Sequence, residues 1–338
     1  MKIILDAMGG DNAPHEIVKG AVQALNKYND FELILTGKSD IIEEELKKHA
    51  YPGQRLRIVH ASQVIETAEP PVEAIKRKKD SSMVAGMNIL AQGGGDVFIT
   101  AGSTGATVAG SMLVVRRIRG VKRPALAPVL PTAMDKGVLL IDCGANVDCK
   151  PSYLAQFGVM GSIYMKNVFG VESPRVGLLN NGAESEKGNL LTKAAYEHLL
   201  KAPVNFYGNI EAREVTSGVV DVVVCDGFVG NAVLKMMEGT AETLVKMLKT
   251  ELMGSFRSKI GAALAKNAFK NFKKRMDYSD YGGALLLGVN GGVIKAHGSS
   301  DAKTIVSTIR QARDFHTGHV VDVIKEEISK VNFEDETV

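Results

Sequence analysis

The 338-residue chain contains no tryptophan, and aromatic residues make up only 6% of it. Basic runs such as KRKKD (76–80) have no aromatics interleaved with them, so nucleic-acid binding is not expected. Cysteine is equally scarce. Cys143, Cys149 and Cys225 are an odd number, with no CxxC spacing and no histidine cluster beside them. That excludes a disulfide scaffold and fits a reducing compartment. A secretory leader is not expected, because Asp6 interrupts the opening apolar run of MKIILDAMGGD before a signal-peptide core is complete. The expectation is a cytoplasmic protein. Long apolar runs are lacking apart from Val97 to Val115, which is uncharged and nominally long enough to cross a bilayer. It carries Thr100, Ser103, Thr104, Thr107, Ser111 and three glycines, so a strand, a hydroxyl-rich turn and a small-residue helix explain it better than a spanning helix.

What is present is an ordinary soluble composition, 45% hydrophobic and 23% charged, with a formal net charge of +3. The length suits one large α/β unit or two modest lobes. Thirty-five glycines exceed the usual share, so many turns must approach something closely. Short apolar runs alternate with amphipathic stretches: IILDA (3–7) before 14–28, ELILTG (32–37) before 39–50, LRIVHA (56–61) before 70–92. The rhythm continues through DVFITAG (96–102), GVLLIDCG (137–144), RVGLLNNG (175–182), NFYGNI (205–210) and DVVVCDG (221–227). Repeated β-α units are the consequence. The expected fold class is α/β: an open, mostly parallel sheet with helices on both faces, making three α/β/α layers, with ligand loops beyond the C-terminal strand ends. No linker, repeat or low-complexity tract divides residues 1–338, which are read as a single unit.

Composition departs from this most clearly over Thr240 to Met276, where nine Lys or Arg face only Glu242 and Glu251, a local balance of +7. Leu244, Leu248, Leu252, Phe256, Ile260, Leu264, Ala268, Phe272 and Met276 recur every four residues there. That spacing drifts by about 40° per step, so one straight helix cannot keep the stripe on a single face. A break near Gly254 or Gly261 would give a basic amphipathic helical hairpin with the apolar tip GSFRSKIGAALA, suited to an acidic partner or a membrane surface. The plainer alternative is a core helix with a solvated basic face.

Several loops carry candidate chemistry. In AGSTGATVAG (101–110), glycines around Ser103 and Thr104 let backbone N–H groups and hydroxyls converge on an anion where a helix begins, with phosphate the natural guest. The loop is neither GxxxxGK[ST] nor GxGxxG, and without a Walker lysine a P-loop NTPase is not expected. GLLNNGAESEKGN (177–189) places Lys187 in a polar loop, either solvated or set to stabilise an oxyanion or phosphate. In VVVCDGFVGNAVLK (222–235), a strand ends at Asp226 and a helix starts near Asn231, whose amide either faces a reacting carbonyl or caps the helix. LLIDCGANVDCKP (139–151) offers Asp142 and Asn146 for hydrogen bonding, and Cys143 without a histidine partner. DAMGGD (6–11) puts Asp6 at a strand end and Asp11 beside a helix start, as site-ordering groups or caps. KAHGSSD (295–301) sets His297, Ser299 and Ser300 at a glycine turn, for phosphate contact or capping. His316 and His319 in HTGH lack a carboxylate at zinc-like spacing, so a structural role is expected.

DAMGGD, ETAEPPVEAIKRKKDSSM (66–83), AGSTGA, IDCGAN, GLLNNGAESEKGN, GNIEAREV (208–215), DGFVGN and HGSSD together resemble the PlsX family of bacterial phosphate acyltransferases, in order and over nearly the whole chain. The resemblance implies conversion of acyl-[acyl carrier protein] and inorganic phosphate into acyl phosphate and free carrier protein, at the entrance to phospholipid synthesis. It also implies a homodimer with a fold similar to phosphotransacetylases and to isocitrate or isopropylmalate dehydrogenases. Phosphate is already an anionic nucleophile, so attack on a thioester needs positioning and oxyanion stabilisation and no covalent enzyme intermediate. By resemblance, Lys187 is the catalytic cation and Asn231 orients the thioester or stabilises its tetrahedral intermediate. Asp6, Ser103, Thr104, Asn146, Asp226, His297, Ser299 and Ser300 are the candidate substrate-binding residues. Lys266, Lys270, Lys273, Lys274 and Arg275 would steer the acidic carrier protein. Phe256, Ile260 and Leu264 would touch the bilayer, where the glycerol-3-phosphate acyltransferase PlsY takes the product, making the protein peripherally membrane-associated. Neither a cofactor nor a metal is implied.

Rival readings are a short-chain acyl-coenzyme A phosphotransacylase, a dehydrogenase of the isopropylmalate type, and a non-catalytic membrane-associated scaffold that binds carrier protein. The dehydrogenase needs a divalent metal, a dinucleotide and an arginine-rich hydroxyacid site, for which no clear motif is present.

Overall fold

A computed structural model describes residues 1–134, 136–276, 278–331 and 333, with the side chains of 273–276, 278 and 279 outside that description. Strands run in chain order as β1 (Lys2–Asp6), β2 (Glu32–Gly37), β3 (Leu56–His60), β4 (Val97–Thr100), β5 (Ala125–Ala127), β6 (Val129–Pro131), β7 (Gly137–Ile141), β8 (Arg175–Asn180), β9 (Asn205–Glu211), β10 (Val222–Val224), β11 (Ala284–Leu287) and β12 (Gly292–Lys295). They form two sheets where one was expected. The larger has the order β3-β2-β1-β4-β12-β11-β5, and the smaller β6-β7-β10-β8-β9. Pairings from β3 through β12 are parallel, as are those among β7, β10, β8 and β9, while β11, β5 and β6 enter antiparallel. Pro128, between β5 and β6, carries the chain from one sheet to the other.

Helices α1 (His15–Lys27), α2 (Ser39–Leu46), α3 (Pro71–Arg77), α4 (Ser82–Ala91), α5 (Thr104–Gly110), α6 (Pro151–Phe169), α7 (Leu190–Lys201), α8 (Gly227–Met253), α9 (Phe256–Leu264), α10 (Lys266–Met276), α11 (Ala302–Thr317) and α12 (Val320–Ser329) complete the α/β architecture. The stretch 70–92, read as one amphipathic segment, is two helices, because the chain turns at Lys78–Ser81 and Ser81 caps α4 by accepting from Val84 N–H. The uncharged run 97–115 resolves into β4, α5 and a π-helical turn (Ser111–Val115). Among the described residues, no helix is long and apolar enough to cross a membrane.

Alternation along the strands decides which face meets which core. Ile3 and Leu5 of β1, Leu139 and Ile141 of β7, and Val222 and Val224 of β10 all enter the largest hydrophobic cluster, together with residues of α1, α6 and α11. Their alternate neighbours turn away, Ile4 into a cluster with α4 and Val138, Leu140 and Val223 into a third. One apolar core therefore serves both sheets, and the parallel strands of each bring their C-terminal loops to a common end.

Past the first turns of α8, where Val233, Leu234 and Met237 pack on the third cluster, α8 to α10 stand apart from the core. The helix starts at Gly227, well before Thr240, and breaks at Gly254, while Gly261 lies inside α9 and a second interruption falls at Ala265. α9 buries no residue. Phe256 is 78% and Leu264 85% exposed, with Ile260, Leu244, Leu248 and Phe272 also exposed, so the apolar stripe is not a core face. Lys266 and Lys270 are solvated, whereas the side chains of Lys273, Lys274 and Arg275 lie outside the described residues.

Candidate active site

Loops after β1, β4 and β12, adjacent strands of the larger sheet, are laced together. Asp6 ends β1 fully buried, accepting from Thr100 Oγ1 at 2.7 Å and from Met8 N–H at 3.1 Å. Burial pushes its carboxyl above the ordinary range, against those hydrogen bonds. A Cβ on Gly9 would fall 2.6 Å from Asp6 Oδ2 and 2.8 Å from Gly102 N, so only glycine fits where these loops meet. Asp11 N–H donates to Gly298 O at 2.8 Å, and Asn12 Nδ2 to Ser299 O at 3.0 Å. His297 Nδ1 lies 2.8 Å from Ser299 Oγ, while buried Ser300 donates its hydroxyl to His297 O at 2.6 Å. Ser103 is the N-cap of α5, accepting from Ala106 N–H at 3.4 Å, and Thr104 beside it is exposed.

The smaller sheet contributes the loops after β7, β8 and β10. Asp142 is buried and accepts from Leu126 N–H (2.8 Å), Ala145 N–H (3.2 Å), and Asn146 N–H (2.6 Å) and Nδ2 (2.9 Å). Burial raises its carboxyl even so. Asn146 Nδ2 also reaches Pro124 O at 2.7 Å, which ties its amide to the loop scaffold. Asp226 caps α8 by accepting from Val229 N–H at 2.9 Å. The capping role that competed for Asn231 is thereby filled, and Asn231 stands exposed one turn into the helix, against Gly144. A Cβ on Gly230 would sit 1.9 Å from Asp142 O, so glycine is what lets the two loops approach and fixes where Asn231 emerges.

Lys187 is exposed on the turn after β8, its backbone held by Glu184 O and by Asn180 Nδ2. β8 neighbours β10 in parallel, which puts Lys187 and Asn231 on adjacent loops at one end of the sheet, and among the described residues no hydrogen bond joins them. His316 and His319 are remote from this end, at the C-terminus of α11 and the start of α12.

The two sets of loops face each other across a cleft of about 120 Å³ that includes Thr104, Cys143, Asn231, Lys235, Lys295 and His297 in its walls. Lys187 is not among its lining residues. Cys143 is held far above the ordinary thiol range by burial, as is Cys225, and Cys149 is pushed up to about 12, so none is a thiolate nucleophile. Nothing local in the sequence distinguishes Lys295, which merely follows the apolar GVI there. In the fold it is only 8% exposed, its Nζ donating to Ala101 O at 3.3 Å and to Ala296 O, and burial lowers its pKa to about 8. What could have exposed it is its place at the end of a buried strand, directly before a candidate phosphate turn.

A family model described as fatty acid synthesis protein matches residues 1–322. A phosphate acyltransferase from Clostridium novyi is 50% identical, covering 98% of this chain and 99% of its own length. Another, from Clostridium perfringens (strain SM101), is 50% identical over 99% of each chain. Among solved structures, a phosphotransacetylase from Streptococcus pyogenes superposes with a TM-score of 0.60 at 17% identity, covering 95% of this chain and 94% of that one. A 4-hydroxythreonine-4-phosphate dehydrogenase from Klebsiella pneumoniae gives 0.54 at 13% identity, covering 94% and 99%. The structural likeness concerns the fold alone, and that fold is the expected three-layer α/β/α class.

Proposed function

The chain belongs to the fatty acid synthesis protein family, the PlsX family that its motifs resemble, and from that premise we propose that it is a phosphate acyltransferase making acyl phosphate from acyl-[acyl carrier protein] and inorganic phosphate for phospholipid synthesis. The observation that carries the reading is the convergence of motif-bearing loops from both sheets on one end of the molecule, with cations and an amide on offer and every thiol held protonated. In this reading an oxygen of hydrogen phosphate attacks the thioester carbonyl carbon, a C–O bond forms, the C–S bond breaks, and the carrier's thiolate leaves and takes up the proton that the phosphate gives up. Lys187 supplies positive charge to the developing oxyanion and Asn231 directs its amide at the same oxygen. Asp6, Asp226 and Asn146 act at one remove, by fixing the loops that carry the contact residues. Thr104, His297 and Ser299 are the substrate contacts.

Incubation of the purified protein with palmitoyl-[acyl carrier protein] and phosphate, followed by mass spectrometry of free carrier and acyl phosphate, tests the reaction. Matched, phosphate-dependent appearance of both is expected, and Lys187→Ala or Asn231→Ala should each slow it by about 10²-fold, the scale of a lost oxyanion donor. Carrier release without acyl phosphate would make the protein a thioesterase. Measurable carrier binding without release would make it a scaffold. The exposed basic and apolar segment α8 to α10 serves the same reading by steering the acidic carrier through Lys266 and Lys270 and by seating Phe256, Ile260 and Leu264 on the bilayer, in a cytoplasmic homodimer that passes its product to PlsY.

A further inference from the structure

Lys295 is a buried ammonium in direct contact with no carboxylate of the described residues, Asp11 and Asp6 acting on it only from beyond ion-pair distance. Its two acceptors, Ala101 O and Ala296 O, are neutral carbonyls, and among the described residues no carboxylate lies within ion-pair distance of it. An ammonium has three donors, so one remains unspent. Charge buried on these terms is costly and becomes favourable when an anion shares the space. Lys235, the other lysine of the cleft, already donates to Glu238 Oε2 at 2.7 Å, which leaves Lys295 as the member of the pair without a direct ion pair among the described residues. The cleft itself, about 120 Å³, is well below the roughly 300 Å³ at which drug-sized ligand sites begin, and so suits a small anion better than an acyl chain.

We propose that Lys295 is the phosphate-binding cation of the cleft, its ammonium aimed by the carbonyls of Ala101 and Ala296 and its remaining donor given to an oxygen of inorganic phosphate. The inference rests on the transferase reading and deepens it: Lys295 holds the nucleophile while Lys187 and Asn231 serve the carbonyl oxygen. The charged and titratable groups around it are Asp6 and Asp11 from β1 and its loop, Lys235 and Glu238 from α8, His297 from the loop after β12, and Cys143 from the loop after β7, whose thiol burial holds protonated.

Isothermal titration of the full chain with inorganic phosphate, and with sulfate as an anion of fixed charge, tests the assignment without relying on turnover. Lys295→Met should weaken both anions by about tenfold or more, the weight of one charge-assisted hydrogen bond, while Lys295→Arg should retain them. Sulfate affinity of the unaltered protein should fall between about pH 7 and about pH 9, as the lysine loses its charge, and should fall less in Lys295→Arg. Under turnover, Lys295→Met should raise KM for phosphate and leave KM for the acyl donor in place. Unchanged anion affinity in a folded Lys295→Met protein overturns the proposal, as does an unaltered protein that binds neither anion. Should Lys295→Met not fold, equal pH dependence in the unaltered protein and Lys295→Arg overturns it. Phosphate held through Lys295 without acyl phosphate formation would remove the transferase and keep the site. Acyl phosphate formation with an unchanged phosphate KM in Lys295→Met would do the reverse.

Discussion

Lys295 also leaves a mark on stability that can be read without any ligand. Its pKa is about 8 in the folded protein against 10.5 for the free side chain. Below the lower value both folded and unfolded chains are protonated, and the contribution does not vary with pH. Between the two values the unfolded chain binds the additional proton, so stability must rise with pH through that window. Relative to Lys295→Met, the unaltered protein should gain up to about 3 kcal/mol on going from pH 8 to pH 10.5, measured by urea denaturation. A difference that stays flat would mean that the ammonium is hydrated in the native state. Asp6 and Asp142 are also buried ionisable groups, but each is surrounded by donors, so they hold loops in place where Lys295 is left with capacity to spare.

At the scale of elements, α9 owes almost nothing to the core, and substitutions on its exposed apolar side should leave the fold untouched. Ile260→Asp and Leu264→Asp should abolish flotation with anionic liposomes while the melting temperature holds; undiminished flotation removes the bilayer from the picture. Lys266→Glu with Lys270→Glu should raise KM for the acyl carrier protein, and added salt should do the same to the unaltered enzyme, since the attraction between solvated charges is screened. Salt-insensitive kinetics would contradict that steering. This stripe was legible in the sequence because its four-residue spacing overshoots a helical turn, and so were β2 and β8, whose apolar runs end where the strands do. β5 and β6 were not legible, since three residues carry no period, and they are what divides one expected sheet into two. Asn231 was visible as either a site residue or the helix cap, and it is the Asp226 to Val229 hydrogen bond, with Asp226 read from the sequence only as a strand end, that fills the cap. Lys295 was hidden for a related reason: its burial comes from Ala101, 194 residues away, and from α8 across the cleft, neither of which a local pattern contains.

For the whole molecule, the shared core between the sheets sets the mode of unfolding. Because β1 and β7 contribute alternate side chains to the same cluster, neither sheet can expose its inner face while the other stays intact. Calorimetry should show one transition with equal calorimetric and van't Hoff enthalpies per cooperative unit, and two resolved transitions would contradict a common core. α8 crosses this boundary. It begins at the cleft with Gly227 and ends in solvent at Met253, a single rod of 27 residues and about 40 Å. The rod sets a standoff between the reacting end and the tip, and it also sets their phase. Removing seven residues from its solvated half would shorten the standoff by about 10 Å with the tip facing nearly as before, whereas removing one would swing the tip by about 100° around the axis. Distance and orientation of the tip relative to the cleft are thus written in a stretch of helix outside the cleft.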